Sequence, residues 1–347
     1  MNKKVLVIGG GTAGMTASLE LADQGIEVYL VEKTGAVGGK AINYSCKAAG
    51  RCSKCGACLP YQLKAKVDGH PGIKPIVNSE VKQVQGEGGK YKATIRFLTG
   101  SRGVDLGAET ILEVSAVVAA LGFDLFDASL KGEFGYGQHN NVITGFELEK
   151  ALKQTGSVEK AFGPGLKQIG FIQCVGSRDL QAGNNYCSAV CCMYTGKLAK
   201  VIRQELPEAE LDIFYMDLQT FGKDYSGFLK ECVEMDKIRY IRGIPSKVFR
   251  YPYNYLTVRY ADTLGKGIQE SRYDLIVLAS AMIPGRGLAQ FAQIAGISLD
   301  RDGFLPERHK PGIFAAGACT GPKDIPQTIS HAQAAAGQVI KFLNGLR

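Results

Sequence analysis

The fold is decided near the N-terminus by the stretch Val5-Leu6-Val7-Ile8-Gly9-Gly10-Gly11-Thr12-Ala13-Gly14. Four apolar residues in a row are typical of a buried strand, and the glycines after them fit the pattern G-x-G-x-x-G. Gly9 permits a tight turn, Gly11 lets the backbone approach a diphosphate, and Gly14 lets the next helix pack closely on the strand. The helix N-terminus presents free N–H groups to the phosphates. This stretch therefore predicts a dinucleotide-binding unit.

The residues after the turn complete the pattern. Apolar spacing predicts a helix over Ala13–Gln24 and a second buried strand over Glu27–Val31. Glu32 stands directly after that strand, where an acid is required to bind ribose hydroxyls. Strand, glycines, helix, strand and acid follow one another in register, which distinguishes this motif from a chance glycine triplet.

Further α/β patterns predict two dinucleotide-binding-type domains in an α/β fold. The first domain is predicted to comprise residues 1–142 and 280–347, and the second residues 143–279. Residues 40–75 are rich in Gly, Cys, Lys and Pro and show little periodicity. They predict an irregular cysteine-rich excursion from the first domain.

The C-terminal segment favours FAD over NAD in the first domain. Gly312–Gly317 resembles the late motif of flavoproteins with two dinucleotide-binding domains, where a strand ends in A-G-D and the acid binds the ribityl chain; here Ala318 replaces the acid. The N-terminus of the following helix, near Ile325–Thr328, would direct its dipole at the flavin and stabilise a reduced ring. His331 lies on that helix, so a redox-linked proton role is a hypothesis for it. Residues predicted to bind FAD are Gly9, Gly11, Thr12, Ala13, Gly14, Glu32, Lys33, Gly38, Gly39, Lys40, Val81, Gly122, Gly317, Ala318, Ile325 and Thr328.

The matching turn of the second domain lacks a glycine fingerprint. It reads Gly170-Phe171-Ile172-Gln173-Cys174-Val175-Gly176-Ser177-Arg178-Asp179, so a cysteine occupies the turn. No pyrophosphate-binding turn is predicted there. A soluble nicotinamide is therefore not expected as electron donor.

Four cysteines lie in and after this turn of the second domain, namely Cys174, Cys187, Cys191 and Cys192. Ten cysteines in a chain without an export signal indicate metal binding or thiol chemistry, because the cytosol keeps thiols reduced. Four thiolates from one loop and a helix end match the requirement of a [4Fe–4S] cluster. Buried apolar cysteines and a dithiol pair are the alternatives.

A second group comprises Cys46, Cys52, Cys55 and Cys58. Its C-x-x-C-x-x-C core resembles ferredoxin spacing and predicts a second cluster site. Structural zinc and a redox dithiol are the rival interpretations.

Bulk properties exclude some function classes. The net charge is +8, but lysines and arginines are scattered, which argues against a nucleic-acid surface. No apolar run approaches the roughly 20 residues of a membrane span. The basic start, Asn2-Lys3-Lys4, runs directly into a strand pattern and not into a signal sequence. We therefore expect a cytoplasmic protein without a membrane span.

The central cysteine motif resembles that of the A subunit of heterodisulfide reductases. The matching segments are Phe171–Asp179, Tyr186-Cys187-Ser188 and Cys191-Cys192-Met193-Tyr194, and Gly312–Pro326 looks like the family's flavin-site motif. The resemblance covers essentially the whole chain. It implies a thioredoxin-reductase-like fold, bound FAD and a [4Fe–4S] cluster on the four central cysteines. It also implies Lys323 near the flavin N5 edge, a homodimer and partner subunits.

Methanogen A subunits are longer, with cluster modules that this sequence does not match. The short form looks more like the A-like component of the sulfur-oxidation heterodisulfide-reductase-like complex, or a component of the quinone-interacting membrane-bound oxidoreductase. The resemblance thus implies an electron-transfer flavoprotein subunit in sulfur metabolism. A self-contained NAD(P)H-dependent disulfide or polysulfide reductase using a C-x-x-C dithiol is the alternative. A scaffold with a vestigial flavin site is a third hypothesis.

Overall fold

The computed structural model describes residues 3–99, 105–219, 223–250, 255–265, 267–307 and 310–346. Its helices are α1 (Thr12–Ala22), α2 (Leu59–Gly69), α3 (Gly145–Thr155), α4 (Val158–Phe162), α5 (Cys191–Glu205), α6 (Tyr225–Lys230), α7 (Gly287–Ala295) and α8 (Ile325–Gly345). Its strands are β1 (Lys4–Ile8), β2 (Glu27–Val31), β3 (Ile73–Ile76), β4 (Ser79–Glu87), β5 (Lys90–Phe97), β6 (Glu109–Val114), β7 (Ala116–Ala119), β8 (Phe123–Leu125), β9 (Val142–Thr144), β10 (Gln168–Val175), β11 (Glu210–Tyr215), β12 (Arg239–Arg242), β13 (Pro245–Arg250), β14 (Leu256–Asp262), β15 (Gly267–Tyr273), β16 (Leu275–Ser280), β17 (Met282–Pro284) and β18 (Ile313–Ala315). Among the described residues, no helix combines the length and apolar character needed to cross a bilayer.

The chain divides into two compact units. Unit 1 comprises Met1–Ile42, Gly56–Asp124 and Pro284–Arg347, and unit 2 comprises Asn43–Cys55 and Leu125–Ile283. The predicted domain boundaries lie after residues 142 and 279, with residues 40–75 in the first domain. The structure instead assigns residues 43–55 to unit 2.

Unit 1 is built on a five-stranded parallel sheet in the order β18-β7-β1-β2-β3. Its central strand is almost entirely buried, as expected for a parallel sheet covered by helices on both faces. Met15 of α1 and Val339 of α8 belong to the same core as Val5 and Val7 of β1. A separate antiparallel sheet is formed by β4, β5 and β6.

Unit 2 repeats this plan. Its five-stranded parallel sheet has the order β12-β11-β10-β16-β9, and β13, β14 and β15 form a three-stranded antiparallel sheet. Phe171 of β10, Leu198 of α5 and Ile213 of β11 pack in one core. The predicted α/β class with parallel sheets is confirmed.

The predicted irregular excursion over residues 40–75 needs correction. It contains helix α2 and strand β3, and residues 44–58 are its longest stretch without a helix or a strand. Helix α2 buries only Pro60 and Val67, so its apolar spacing is too sparse to show a helical period. Strand β3 contains Pro75, which weakens a strand pattern but is tolerated at the edge of the sheet.

Candidate functional site

The turn that joins β1 to α1, Gly9–Gly14, accepts only glycine at its two ends. Gly9 has φ +104°, and a Cβ there would lie 2.4 Å from the Ala120 carbonyl oxygen. A Cβ on Gly14 would lie 1.8 Å from the Gly9 carbonyl oxygen. Helix α1 can therefore approach the strand only through bare backbone, as the sequence predicts. We call this segment the glycine turn.

The glycine turn leaves hydrogen-bond donors for a ligand. Helix α1 begins at Thr12 after Gly11, with no side-chain cap and no acid in its first turn. The hydroxyl of Thr12 is buried and has no hydrogen-bond partner among the described residues. Unsatisfied first-turn N–H groups and the positive end of the helix bind phosphate. These residues fit the diphosphate of a dinucleotide.

Glu32 is held at the same turn. Its Oε2 accepts a hydrogen bond from the Gly10 N–H at 2.7 Å, and its Oε1 accepts from the N–H and the hydroxyl of Thr34 at 2.8 and 2.7 Å. The predicted acid thus stands at the end of β2, beside the backbone of the glycine turn, where ribose hydroxyls would bind.

A second glycine pair packs on the glycine turn. The Gly38 N–H donates to the Gly10 carbonyl oxygen at 2.7 Å. A Cβ on Gly39 would lie 2.8 Å from the Cα of Gly11, so this approach also requires glycine. Both predicted glycines therefore adjoin the candidate diphosphate site.

The two lysines predicted to bind FAD pair with acids. Lys40 donates to the Phe123 carbonyl oxygen at 2.6 Å and to Asp124 at 2.9 Å. Lys33 is exposed and lies 3.4 Å from Glu80.

Val81 and Gly122 are two further residues of unit 1 that are predicted to bind FAD. Val81 is buried in β4. Gly122 has φ +67°, and no described atom outside its chain neighbours lies within 4 Å of its Cβ position.

The turn after β18 packs on the start of α1. Gly317 has φ +79°, and a Cβ there would lie 2.4 Å from the Cβ of Ala13 and 3.1 Å from the Cγ2 of Thr328. Its N–H donates to the Nδ1 of His331 at 2.9 Å, so this nitrogen carries no proton. Burial lowers the pKa of His331, and the nearby Lys323 lowers it further. Ala318 is buried directly after this contact.

Lys323 and the start of α8 lie beyond that turn. The half-buried ammonium of Lys323 donates to the Thr320 hydroxyl at 2.8 Å, and burial lowers its pKa. Asp324 caps α8 by accepting from the Gln327 N–H at 2.8 Å. Since Pro326 has no N–H, Ile325 is the first-turn residue whose N–H can face a ligand.

The turn after β10 in unit 2 is built differently. Cys174 adopts φ 59°, and helix α5 begins only at Cys191. A Cβ on Gly176 would lie 2.3 Å from the Phe126 ring, so side-chain atoms occupy the space beside this backbone. We call the segment Cys174–Cys192 the cysteine loop.

A hydrogen-bonded serine pair fills the interior of the cysteine loop. The hydroxyl of Ser177 donates to the Tyr186 carbonyl oxygen at 2.9 Å, and the Ser188 N–H donates to Ser177 at 3.0 Å. Ser188 also accepts from the Met282 N–H at 2.9 Å. The Tyr186 carbonyl and the Ser188 N–H are thereby engaged in contacts within unit 2.

The thiols of the cysteine loop lie against one another. The Cys191 side chain is hydrogen-bonded to Cys174 and Cys192, and it lies within electrostatic range of Cys187. Hydrogen bonding with Cys174 raises the pKa of Cys191 to about 12. Hydrogen bonding with Cys191 likewise raises the pKa of Cys192. Cys187 accepts from the Ala189 N–H at 3.2 Å. Thiols with a raised pKa remain protonated until a metal displaces their protons.

Four cysteine thiols supply the kind and the number of donors that an iron–sulfur cluster requires. Within the described ranges, however, no group of three or more His, Cys, Asp or Glu residues already has a metal-holding arrangement. The other quartet is divided between the units. Cys46, Cys52 and Cys55 belong to unit 2, whereas Cys58 precedes α2 in unit 1.

A buried ion pair, which no sequence pattern predicts, holds the segment 43–55 in unit 2. Lys47 lies 2.5 Å from Glu149 of α3, and both side chains are about nine-tenths or more buried. The other carboxylate oxygen accepts from the N–H and the hydroxyl of Ser45 at 2.9 and 2.8 Å. Because Glu149 lies 104 residues from Ser45 in the sequence, no local sequence pattern predicts this contact.

Residues 3–338 match the family model described as pyridine nucleotide-disulphide oxidoreductase. The chain belongs to this family. It is therefore an oxidoreductase, and the family's fold points to FAD as its cofactor.

Two relatives of this chain are named as A subunits of heterodisulfide reductases, the family that the cysteine motif resembles. The chain is 32% identical to the A subunit of the H(2):CoB-CoM heterodisulfide,ferredoxin reductase of Methanothermobacter marburgensis, with 97% of this chain and 63% of that protein covered. It is 34% identical to an iron–sulfur A subunit of the CoB–CoM heterodisulfide reductase of Methanopyrus kandleri, with 98% and 64% covered. The chain thus spans slightly less than two thirds of these relatives. The similarity to heterodisulfide reductase A subunits is confirmed.

Among solved structures, thioredoxin reductase of Lactococcus lactis matches this oxidoreductase with a TM-score of 0.63 at 20% identity. The match covers 99% of this chain and 100% of that chain. At this identity the likeness concerns the fold, and it confirms the predicted thioredoxin-reductase-like class.

Proposed function

We propose that this oxidoreductase is an iron–sulfur flavoprotein subunit of a heterodisulfide-reductase-like complex. In this proposal it passes electrons between FAD in unit 1 and a [4Fe–4S] cluster in unit 2. One observation carries the proposal: four cysteines lie on the cysteine loop, where the side chains of Cys174, Cys191 and Cys192 pack together, at the sheet position where unit 1 has its glycine turn. The names of the relatives at 32% and 34% identity support the assignment to this kind of complex.

The residues for FAD are those of unit 1. The first-turn N–H groups of α1 and the Thr12 hydroxyl would bind the diphosphate, since they have open hydrogen-bonding capacity. Glu32 would accept hydrogen bonds from the ribose hydroxyls. Gly38, Gly39 and the remaining residues predicted for FAD complete the proposed site.

The residues for the cluster are Cys174, Cys187, Cys191 and Cys192. The buried Cys191 and Cys192 would exclude water from one side, and the Ala189 N–H already donates to the sulfur of Cys187. When bound, FAD supplies a two-electron centre and the cluster a one-electron centre. The protein would hold both centres in place and set their potentials.

Lys323 is proposed to lie near the flavin N5 edge. Its ammonium is half-buried, and its charge would favour the reduced cofactor. The same proposal includes partner subunits, a homodimer, a cytoplasmic location and a role in sulfur metabolism. A second cluster on Cys46, Cys52, Cys55 and Cys58 remains a separate prediction.

The alternative is a self-contained NAD(P)H-dependent disulfide or polysulfide reductase. The family model, matched over residues 3–338, includes pyridine-nucleotide enzymes in its description. The filled cysteine loop argues against it, because the Ser177–Ser188 pair occupies the place of a pyrophosphate-binding turn.

The test measures iron, acid-labile sulfide and flavin per chain in anaerobically purified protein, with EPR after dithionite. Wild type is compared with Cys191→Ala and with the matched variant Cys55→Ala. We expect about four irons per chain in wild type, their loss in Cys191→Ala and their retention in Cys55→Ala.

Iron-free, flavin-containing protein whose flavin is bleached by NADPH would overturn the proposal in favour of the reductase. Loss of four irons in Cys55→Ala alone would move the cluster to the other quartet. Eight irons per chain, with about four lost in each variant, would support both sites.

A further inference from the structure

Gln173, the residue before Cys174, joins the central strand of unit 2 to the first turn of α5. Its side chain is buried at 1% exposure. The Oε1 accepts a hydrogen bond from the Cys192 thiol at 3.4 Å, and the Nε2 donates to the Thr195 hydroxyl at 2.8 Å. Thr195 is fully buried and donates its own proton to the Cys191 carbonyl oxygen at 2.7 Å. A single chain of donors therefore runs from Gln173 through Thr195 to Cys191.

This arrangement suits a thiol but not a metal-bound thiolate. Cys192 can donate to Gln173 only while its sulfur keeps a proton, and ligation to iron removes that proton. The unchanged amide would then direct a carbonyl oxygen, which carries partial negative charge, at an anionic sulfur. Because the site is buried, no solvent would screen that repulsion.

The side chain of Gln173 has the means to reverse its polarity. A primary amide carries its acceptor and its donors on opposite sides, and half a turn about the terminal bond exchanges them. The Thr195 hydroxyl can likewise accept or donate, since it has one proton and two lone pairs. If its proton turns towards Gln173, the Cys191 carbonyl still accepts the backbone N–H bond of the helix.

We infer that Gln173 is a positioning residue for the cluster, with its Nε2–H donating to the Cys192 thiolate and its Oε1 accepting from Thr195. This inference rests on the proposed function, because it requires a cluster on the cysteine loop. Every polar group of Gln173 and Thr195 keeps a partner in the reversed arrangement. The buried amide therefore incurs no desolvation penalty when the cluster binds.

The consequence is a higher reduction potential. Hydrogen bonds to the sulfurs are among the factors that set the potential of an iron–sulfur cluster. An N–H donor stabilises the reduced form more than the oxidised form, because the reduced cluster carries more negative charge. Gln173 thus favours acceptance of an electron.

The test combines iron and sulfide analysis with EPR-monitored redox titration of the full chain. Gln173→Leu removes the donor at similar volume, Thr195→Val removes the partner that orients the amide, and Thr195→Ser keeps the hydroxyl. We expect Gln173→Leu to retain its iron while its reduction equilibrium falls about tenfold, which is about 59 mV for one electron. Thr195→Val should shift the potential less and in the same direction, and Thr195→Ser should match wild type.

The outcomes separate this inference from the proposed function. Wild-type protein without iron overturns the proposed function and the inference with it. A normal cluster whose potential is the same in Gln173→Leu and wild type overturns the inference alone. If Gln173→Leu loses its iron, Thr195→Val decides: a lowered potential supports the inference, and an unchanged potential overturns it.

Discussion

The glycine turn and the cysteine loop occupy the same position in two sheets of the same plan. Strand β1 lies between β2 and β7, and β10 lies between β11 and β16, with all of these pairs parallel. Each unit adds a three-stranded antiparallel sheet. The fifth strand differs in connection, because β18 comes after the other strands of its sheet along the chain, whereas β9 comes before the other strands of its sheet.

The two segments differ in which atoms can face a ligand. The glycine turn offers bare backbone, and Gly9 and Gly14 have no room for a Cβ. The cysteine loop commits its backbone to the Ser177–Ser188 pair and presents thiols instead. One sheet edge can therefore bind an anionic diphosphate or supply anionic ligands to a metal, depending on whether N–H groups or sulfur atoms point outward.

The acids after the second strands show the same division. Glu32, after β2, accepts from the backbone N–H of Gly10 in the glycine turn. Asp217, after β11, pairs with the side chain of Arg178 in the cysteine loop. In unit 1 the acid adjoins backbone that would contact a ligand, and in unit 2 it neutralises a side chain beside the thiols.

The largest effect is expected from Gly14→Ala. The added Cβ would lie 1.8 Å from the Gly9 carbonyl oxygen, so α1 must move away from β1. We expect the free energy of unfolding of unit 1 to fall by about 3 kcal/mol and bound flavin to be lost. Urea unfolding followed by circular dichroism, with flavin absorbance after gel filtration, measures both.

Gly337→Ala is the matched control. Gly337 lies within α8, and no described atom other than the adjacent backbone of its own helix lies within 4 Å of its Cβ position. This substitution should stabilise the helix by about 0.5–1 kcal/mol without loss of flavin. Equal stability and flavin content in Gly14→Ala and wild type would contradict the close approach of α1 to β1.

An intermediate effect is expected from Glu32→Gln, compared with Asp217→Asn. If Glu32 binds ribose through charge-assisted hydrogen bonds, its neutral isostere should raise the FAD dissociation constant about tenfold. Asp217 is 44% exposed and forms a surface pair, so its loss should cost less than about 1 kcal/mol and leave flavin binding unchanged. Fluorescence titration of apoprotein with FAD gives the constants. An equal loss of affinity in both variants would remove the distinction between the two acids.

The sequence is informative where contacts are local. The strand, turn, helix and acid of residues 4–32 appear as predicted, because their spacing alone fixes the backbone geometry. Helix α5 begins at Cys191, so the four central cysteines come from a loop and a helix end, as predicted. The start of α8 at Ile325 likewise agrees with the predicted helix.

Contacts between residues that are far apart in the sequence cannot be predicted in this way. The attachment of residues 43–55 to unit 2 depends on Glu149, and the pairing of Lys40 depends on Asp124. Gln173 is adjacent to a predicted ligand, yet its bonds to Cys192 and Thr195 require the fold that brings β10 beside α5. The charge of a lysine or glutamate predicts a partner but not which one, since many opposite charges along the chain satisfy it.

The smallest effect is expected in the pH dependence of the stability of unit 1. It tests the turn after β18, which packs on the start of α1. The Gly317 N–H can donate to His331 only while Nδ1 is unprotonated, and burial, aided by Lys323, lowers the pKa of His331 in the folded chain. The unfolded chain takes up this proton near pH 6.5, and the folded chain does so only at lower pH. Between these values the unfolded state binds more protons, so stability falls as pH falls below about 6.5.

His331→Gln keeps an acceptor but cannot titrate, so its urea midpoint for flavin release should change less between about pH 7.5 and 5.5. His139→Gln is the control, because burial also lowers the pKa of His139, but that residue belongs to unit 2. The same pH response in wild type and His331→Gln would show that protonation of His331 does not limit the stability of unit 1.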